Sequence, residues 1–195
     1  MDVFSHGLWS GAIFKGINLK SQKHLRIKWA MFWGVFPDVF AFASLFVWLL
    51  GSIIFGYMSF GDWPRPDATE PIQPDTLFIF RLTSFLYSLT HSLAIFAVVF
   101  GLSFLIFRRP IWELLSWLIH ILIDIPTHTY QFYPTPFLWP FSDVKFDGFS
   151  WGTPWFMFLN IFLVASIYLY LYLRKKNHPR EVLNFNNILL AILIF

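Results

Sequence analysis

The sequence predicts an all-α fold: a polytopic membrane helical bundle of about four transmembrane helices, preceded by a short N-terminal amphipathic or re-entrant helix. Three observations carry this reading. Of 195 residues, 57% are hydrophobic and 13% are charged, whereas soluble domains carry roughly 25% charged residues. Four segments approach the run of about 20 apolar residues that a helix needs to cross a hydrocarbon core of about 30 Å. The loops between those segments alternate in charge.

The elements follow in order, all within a single membrane-embedded domain, 1–195. Residues 2–17 form the N-terminal helix. This start carries Asp2 and lacks the basic region of a cleavable signal peptide, so it reads as part of the fold. The first span runs over about 29–57, interrupted by Pro37-Asp38. The second, 85–107, holds one ionisable residue, His91. The third, 111–125, is short and contains Glu113, His120 and Asp124. The fourth, 155–173, has no charge. Residues 186–195 are apolar but too short to span alone, and read as an interfacial or docked tail.

Loop charge fixes the orientation. Residues Lys15 to Lys28 are basic, with Lys20, Lys23 and Arg26 between them. Asp62 to Asp75 is acidic and proline-rich. Arg108-Arg109 is basic, the loop with Asp143 and Asp147 is weakly acidic, and Arg174-Lys175-Lys176 with Arg180 is basic again. Basic loops face the cytoplasm, so four spans with both termini cytoplasmic satisfy every loop. Trp29, Trp33, Trp63, Trp112 and Trp151 fall near span ends, where aromatic belts form. The basic runs are short and lie beside spans, so they are topology signals and no nucleic-acid partner is expected. No internal repeat, heptad or phosphate-binding loop is visible.

The chemistry concentrates in HILIDIPTH, residues 120–128, which sets His120, Asp124 and His128 in an apolar segment. Ionisable groups at membrane depth are costly, face one another or a cavity, and mark working sites. His120 and Asp124, at i and i+4, have Cβ atoms about 5–6 Å apart on one helix face, a separation at which both can ligate one ion. The chain has no cysteine, so a metal site must use imidazole, carboxylate, carbonyl or water. That favours Zn²⁺ or Mn²⁺ over a soft ion.

Depth brings further residues to the same level. At about 1.5 Å of rise per residue, His91 and His120 each lie roughly 13 Å into their spans, and Asp38 about nine residues into the first. Asp124 lies about 6 Å further outward. His6 cannot be placed this way. Each residue also has a plainer reading. His120 and Asp124 could simply pair with each other, and His91 could be a core histidine bonded to Thr90 or Ser92. Asp38 could cap a helix that Pro37 starts. Glu113 reads as a helix-start acid favoured by the dipole, while His24 and His178 read as solvated. Pro126 bends or ends the third helix, which puts His128 at the outer mouth of the site as a ligand or general base.

The order His6-Gly7…Gly11, Gly34-x-x-Pro37-Asp38, Thr90-His91-Ser92, His120-x-x-x-Asp124-x-x-Thr127-His128 and Trp139-Pro140-Phe141-Ser142 resembles the membrane-bound metal-dependent hydrolases. This is a family of bacterial and archaeal inner-membrane proteins, some LexA-regulated, distantly similar to zinc-dependent phospholipase C. The resemblance covers residues 6 to about 142. It implies an integral protein of the cytoplasmic membrane with His6, Asp38, His91, His120 and Asp124 as metal ligands and His128 as a further candidate. Family members often continue the aspartate motif with another acid or histidine. Here Val39-Phe40-Ala41 follow, so one ligand is missing and the motif leaves a second metal unsupported.

The function expected is metal-dependent hydrolysis inside the bilayer. A divalent cation, Zn²⁺ or Mn²⁺, would activate water, with Asp38, Asp124 or His128 taking its proton. The substrate would be an amphiphile such as a phospholipid or a lipid-linked phosphate ester. One rival is a non-catalytic membrane protein with a structural metal or a polar network, whose interhelical bonds contribute about 0.6 kcal/mol each on average. The other is a transporter of a proton, ion or small solute, but transporter folds repeat their halves and this chain does not.

Overall fold

The computed structural model describes residues 1–21, 24–59, 61 and 78–177. Lys23, the acidic loop with Trp63, His178, Arg180 and the apolar tail 186–195 lie outside the described residues. The described residues are helical, without a strand: α1 (Val3–Lys20), α2 (Ile27–Ile54), α3 (Phe78–Thr90), α4 (Leu93–Phe107), a 3₁₀ turn (Trp112–Leu114), α5 (Leu115–Thr127) and α6 (Pro154–Asn177).

Helix α1 starts at Asp2, whose carboxylate accepts from Ser5 N at 2.9 Å. It is one unbroken helix and not a re-entrant pair. Its buried face holds His6, Gly7, Ser10, Gly11 and Phe14, while Phe4 on the other side is 81% exposed. Small residues face inward because they let backbones approach closely, and lipid is as apolar as any core. A Cβ on Gly7 would lie 2.7 Å from Val35, and one on Gly34 would meet Ser10 and sit 2.9 Å from the His6 carbonyl. Gly7, Ser10 and Gly34 thus form the close α1–α2 contact.

Helix α2 runs straight through Pro37. Asp38 is therefore a mid-helix residue, and the expectation that it caps a helix start is not met. Pro37 offers no N–H to the Trp33 carbonyl. The next carbonyl, that of Gly34, accepts from His120.

The apolar run predicted as one span over 85–107 is two helices, α3 and α4, bent by 60°. His91 sits in the break. Ser92 caps α4 by accepting from Ile95 N at 3.2 Å, and its hydroxyl also donates to the Trp139 carbonyl. Leu93 N donates to the Phe137 carbonyl at 3.0 Å. The break thus has partners for its freed polar groups, as non-helical backbone at membrane depth requires. Residues 137–139 supply them, next to a cis Trp139–Pro140 bond.

The third predicted span, 111–125, is the 3₁₀ turn followed by α5. Thirteen helical residues reach only about 20 Å, short of the ~30 Å core. Helices α2 and α6 are long and apolar enough to cross a membrane, and the bent α3–α4 pair makes a third if counted as one span. Among the described residues, two or three of the four expected spans are present by length and composition. Helix α5 is short, and its buried stripe is Ser116, Trp117, His120, Ile121, Asp124 and Thr127. Trp117, Phe96, Leu114 and Ile121 form an apolar cluster beside it with Trp33 and Phe36 packed on top.

Two contacts finish the frame. Helix α6 opens on Pro154, which suits the first helical position. Its buried Asn160 donates to Ser5 Oγ at 2.6 Å and accepts from Trp9 Nε1 at 2.9 Å. After α5 the chain folds back along it. Phe149 N, Trp151 N and Gly148 N donate to the carbonyls of Pro126, Thr127 and His128 at 3.0, 3.1 and 2.9 Å. These carbonyls end a helix and have no intrahelical donor.

Candidate metal centre

Four of the predicted site residues converge. Each of Asp38, His91, His120 and Asp124 offers one ligand atom, and these atoms all lie within 4.8 Å of one another. They come from α2, from the α3–α4 break and from α5, and all are buried. His91 Nε2 and His120 Nε2 are 3.0 Å apart. Asp124 Oδ2 lies 3.4 Å from His91 Nε2 and 3.1 Å from His120 Nε2. Asp38 Oδ1 lies 3.5 and 3.6 Å from the same two nitrogens.

The protonation pattern follows from the outward-facing nitrogens. His120 Nδ1 is 2.7 Å from the Gly34 carbonyl oxygen, and His91 Nδ1 is 3.1 Å from that of Tyr87. A carbonyl only accepts, so both Nδ1 atoms carry the proton and donate. Thr90 Oγ1 gives its proton to the Leu86 carbonyl at 3.0 Å, so it too can only accept from His91 Nδ1, at 3.0 Å. A neutral ring in this tautomer keeps its lone pair on Nε2. His91 Nε2 and His120 Nε2 face each other and two carboxylates. This is the arrangement of metal-ligating histidines, whose other ring nitrogen donates to a carbonyl and fixes the tautomer.

The distances agree. Ligands at about 2.0–2.2 Å from a tetrahedral cation lie about 3.3–3.6 Å from one another. Of five edges between these atoms, three lie at 3.4–3.6 Å and two are shorter, at 3.0 and 3.1 Å. Charge agrees as well: two buried carboxylates balance one divalent cation, and unpaired buried charge is strongly unfavourable. The Met1 α-amine donates to Asp124 and offsets part of that charge. Asp38 Oδ2 is buried without a hydrogen-bond partner.

His6 and His128 reach the same carboxylate from the other side. His6 Nε2 is 2.9 Å and His128 Nε2 is 3.5 Å from Asp124 Oδ1. The His6 ring stacks on that of His120, with centroids 3.7 Å apart. His128 follows the end of α5 as its C-cap, and its Nδ1 donates to the Tyr133 carbonyl at 2.9 Å. Tyr133 is held at φ 45°, a strained backbone for a residue with a side chain. Its carbonyl also accepts from Tyr87 Oη at 3.0 Å. Glu113 stands apart: it accepts from Arg26 N at 2.9 Å at the start of α2. His24 is exposed.

The positioning groups were not anticipated from the sequence. The Gly34, Tyr87 and Tyr133 carbonyls carry no side-chain signal. Tyr87, four residues before His91 and stacked on it at 3.7 Å, was findable as an i, i+4 neighbour. No family model, curated protein or solved structure matches this chain.

Proposed function

We propose that this protein is a membrane-embedded metal-dependent hydrolase whose cation is held by Asp38, His91, His120 and Asp124. The observation that carries the metal is the pair of inward Nε2 lone pairs, 3.0 Å apart and locked by their Nδ1 donors. A cation between the rings would satisfy both lone pairs and both carboxylates at once. When bound, a divalent cation would act as a Lewis acid on an ester or phosphoryl oxygen and bring the pKa of water down to about 7.

The chain's own residues supply the rest of the chemistry. Asp38 faces the histidines with Oδ1 and keeps Oδ2 free of partners, so Oδ2 is the acceptor for a water proton. His91 and His120 are held by backbone carbonyls and cannot rotate away. The aromatic cluster around Trp117 packs beside α5 and keeps bulk water off that flank. The apolar helices favour an amphiphilic substrate, a phospholipid or a lipid-linked phosphate ester. The motif order that resembles membrane-bound metal-dependent hydrolases points the same way. So does the loop charge, which favours a cytoplasmic membrane with both termini inside.

One observation favours a structural metal instead. Four side-chain ligands close a tetrahedral zinc shell, and catalytic zinc sites keep a position open. Against it, His6 and His128 add donors that a closed structural site does not need.

The test uses protein purified in detergent, stripped with chelator and reloaded with Zn²⁺ or Mn²⁺. The expected result is a cation retained through dialysis by the wild type and lost in His120→Ala, with release of phosphate or diacylglycerol from phospholipid micelles tracking the loading. A loaded protein that cleaves no lipid ester returns the centre to a structural role. A wild type that retains no cation ends both readings.

A further inference from the structure

Away from the cluster, the last turns of α1, the α1–α2 connection and the 3₁₀ turn enclose a groove of about 210 Å³ lined by Phe14, Ile17, Ser21, Leu25, Trp112 and Leu115. Apart from Ser21 the lining is apolar. Phe14 is buried, whereas Ile17 and Trp112 are 40% and 41% exposed. Helical rise from His6 to Phe14 along α1 is about 12 Å, so the groove is separate from the cluster.

Polar contacts build the walls and leave the groove itself apolar. Asn18 clamps Leu25 twice: its Nδ2 donates to the Leu25 carbonyl at 2.7 Å, and its Oδ1 accepts from Leu25 N at 2.8 Å. The connection is thereby folded back on α1, with Leu25 and Ile17 lining one groove. Glu113 accepts from Arg26 N at 2.9 Å. That bond docks the 3₁₀ turn at the start of α2 and brings Trp112 and Leu115 to the same groove.

The rim is basic. Lys20 lies in the last turn of α1, Arg26 follows Leu25, Lys28 lies in the first turn of α2, and Arg108-Arg109 shortly precede Trp112. Arg26, Lys28, Arg108 and Arg109 are exposed. Among the described residues no acid lies between Asp2 and Asp38 or between residues 78 and 112, and Glu113 is already engaged with Arg26 N. Pockets that enclose a drug-sized ligand run to about 300–1,000 Å³. This groove takes only part of such a ligand: an apolar segment, with an anionic group outside it among the basic side chains. A phospholipid is divided in that way, and basic pockets between membrane helices take anionic headgroups.

We propose that this groove binds one anionic phospholipid, with an acyl chain between Ile17, Leu25 and Trp112 and the phosphate against Arg26, Arg108 and Arg109. The headgroup selects the lipid as much as the chain does, because a zwitterionic lipid brings an ammonium to a rim that is already cationic. The site shares no residue with the metal centre and does not depend on it.

The experiment titrates the delipidated full chain in detergent with phosphatidylglycerol or phosphatidylcholine brominated in the acyl chains, following tryptophan emission. The expected result is saturable quenching, with phosphatidylglycerol binding roughly tenfold or more tighter and weakening at high salt. Most of the saturable component should be lost in Trp112→Phe. The triple variant Arg26→Gln, Arg108→Gln, Arg109→Gln should weaken phosphatidylglycerol binding by about fivefold per charge and leave the phosphatidylcholine curve in place. Metal stripping should change none of these curves, so the outcome is read apart from the hydrolase reading. Equal affinity for the two lipids, or quenching insensitive to salt, reduces the groove to ordinary acyl contact and overturns the proposal. Saturable quenching unchanged in Trp112→Phe puts the lipid elsewhere and overturns it as well. Should the triple variant fail to fold, the headgroup comparison and the salt dependence of the wild type decide.

Discussion

His120 Nδ1 lies 2.7 Å from the carbonyl oxygen of Gly34, across the α5–α2 contact. The same Gly34 leaves room for α1, since a Cβ there would meet Ser10 and the His6 carbonyl. One glycine therefore orients a histidine of α5 and sets how close the helix carrying His6 can come. Gly34→Ala should drive α1 outward and tilt the His120 ring. Overpacking of this kind costs about 1–3 kcal/mol, and loss of an outer-shell contact lowers metal affinity about 10–100-fold. Thermal unfolding and a Mn²⁺ titration on the same preparation measure both. Lower stability with unchanged affinity would separate the packing of α1 from the aim of His120.

Asn160 is one of two polar links between α6 and α1 among the described residues, serving Ser5 and Trp9 at once while Tyr168 Oη donates to the Leu8 carbonyl. Asn160→Leu removes both bonds and leaves the Trp9 indole N–H buried in part without its partner. Interhelical hydrogen bonds in membrane proteins average about 0.6 kcal/mol and reach about 1.7, so the expected loss is about 1–2 kcal/mol. The Asn160 hydrogen bonds go to Ser5 and Trp9 and to none of the cluster residues, so cation stoichiometry should stay at the wild-type value. Changed stoichiometry in a folded variant would show that α6 positions α1, and with it His6, more tightly than these contacts imply.

Tyr87 meets the centre in three ways: its ring stacks on His91, its carbonyl accepts from His91 Nδ1, and its hydroxyl donates to the carbonyl that orients His128. Tyr87→Phe keeps the stack and deletes the donor. The expected cost is that of one hydrogen bond, about 0.5–1.5 kcal/mol. Affinity at the Asp38–His91–His120–Asp124 site should fall by less than the roughly tenfold that marks an outer-shell ligand partner. A larger fall, read by the same titration, would mean that the Tyr87 hydroxyl holds His91 and not only the Tyr133 turn.

Much of the centre was legible before the fold. Counting helical rise from span ends set Asp38, His91 and His120 at one depth, and the structure brings them within ligand reach of one another. What failed was continuity. Residues 85–107 are apolar throughout, and hydrophobic periodicity has no term for a bend at Thr90-His91-Ser92. The signal was Ser92, a good helix N-cap three residues ahead of Ile95 N, and it was read only as a partner for His91. Pro37 points in the opposite sense: it reads as a helix start, yet α2 continues through it, and the carbonyl of Gly34, three residues before it, accepts from His120. His6 stayed unplaced because its depth depends on how α1 packs. That is decided by Gly7 and Gly34, through contacts made between helices.

Asp38→Asn discriminates a ligand from a structural polar residue by the sign of its effect. In chelator, the wild-type carboxylate is a buried charge facing two lone pairs, with Oδ2 unpartnered. The amide is nearly the same shape, carries no charge and can donate one N–H to an inward imidazole nitrogen. With both inward imidazoles neutral, the carboxylate is an uncompensated buried charge, which is strongly unfavourable, so the metal-free variant should unfold at the wild-type temperature or above it. With Mn²⁺ the order should reverse. A ligand present at about 100 times its dissociation constant stabilises the folded state by about 2.7 kcal/mol. The wild type should gain that increment, whereas the variant, which loses an anionic donor, should gain little. Unfolding followed by circular dichroism with and without Mn²⁺ reads all four corners of this comparison. If the variant is less stable in chelator and gains as much from Mn²⁺ as the wild type, then Asp38 is not a ligand. Its carboxylate would instead belong to a network holding α2 against the α3–α4 break.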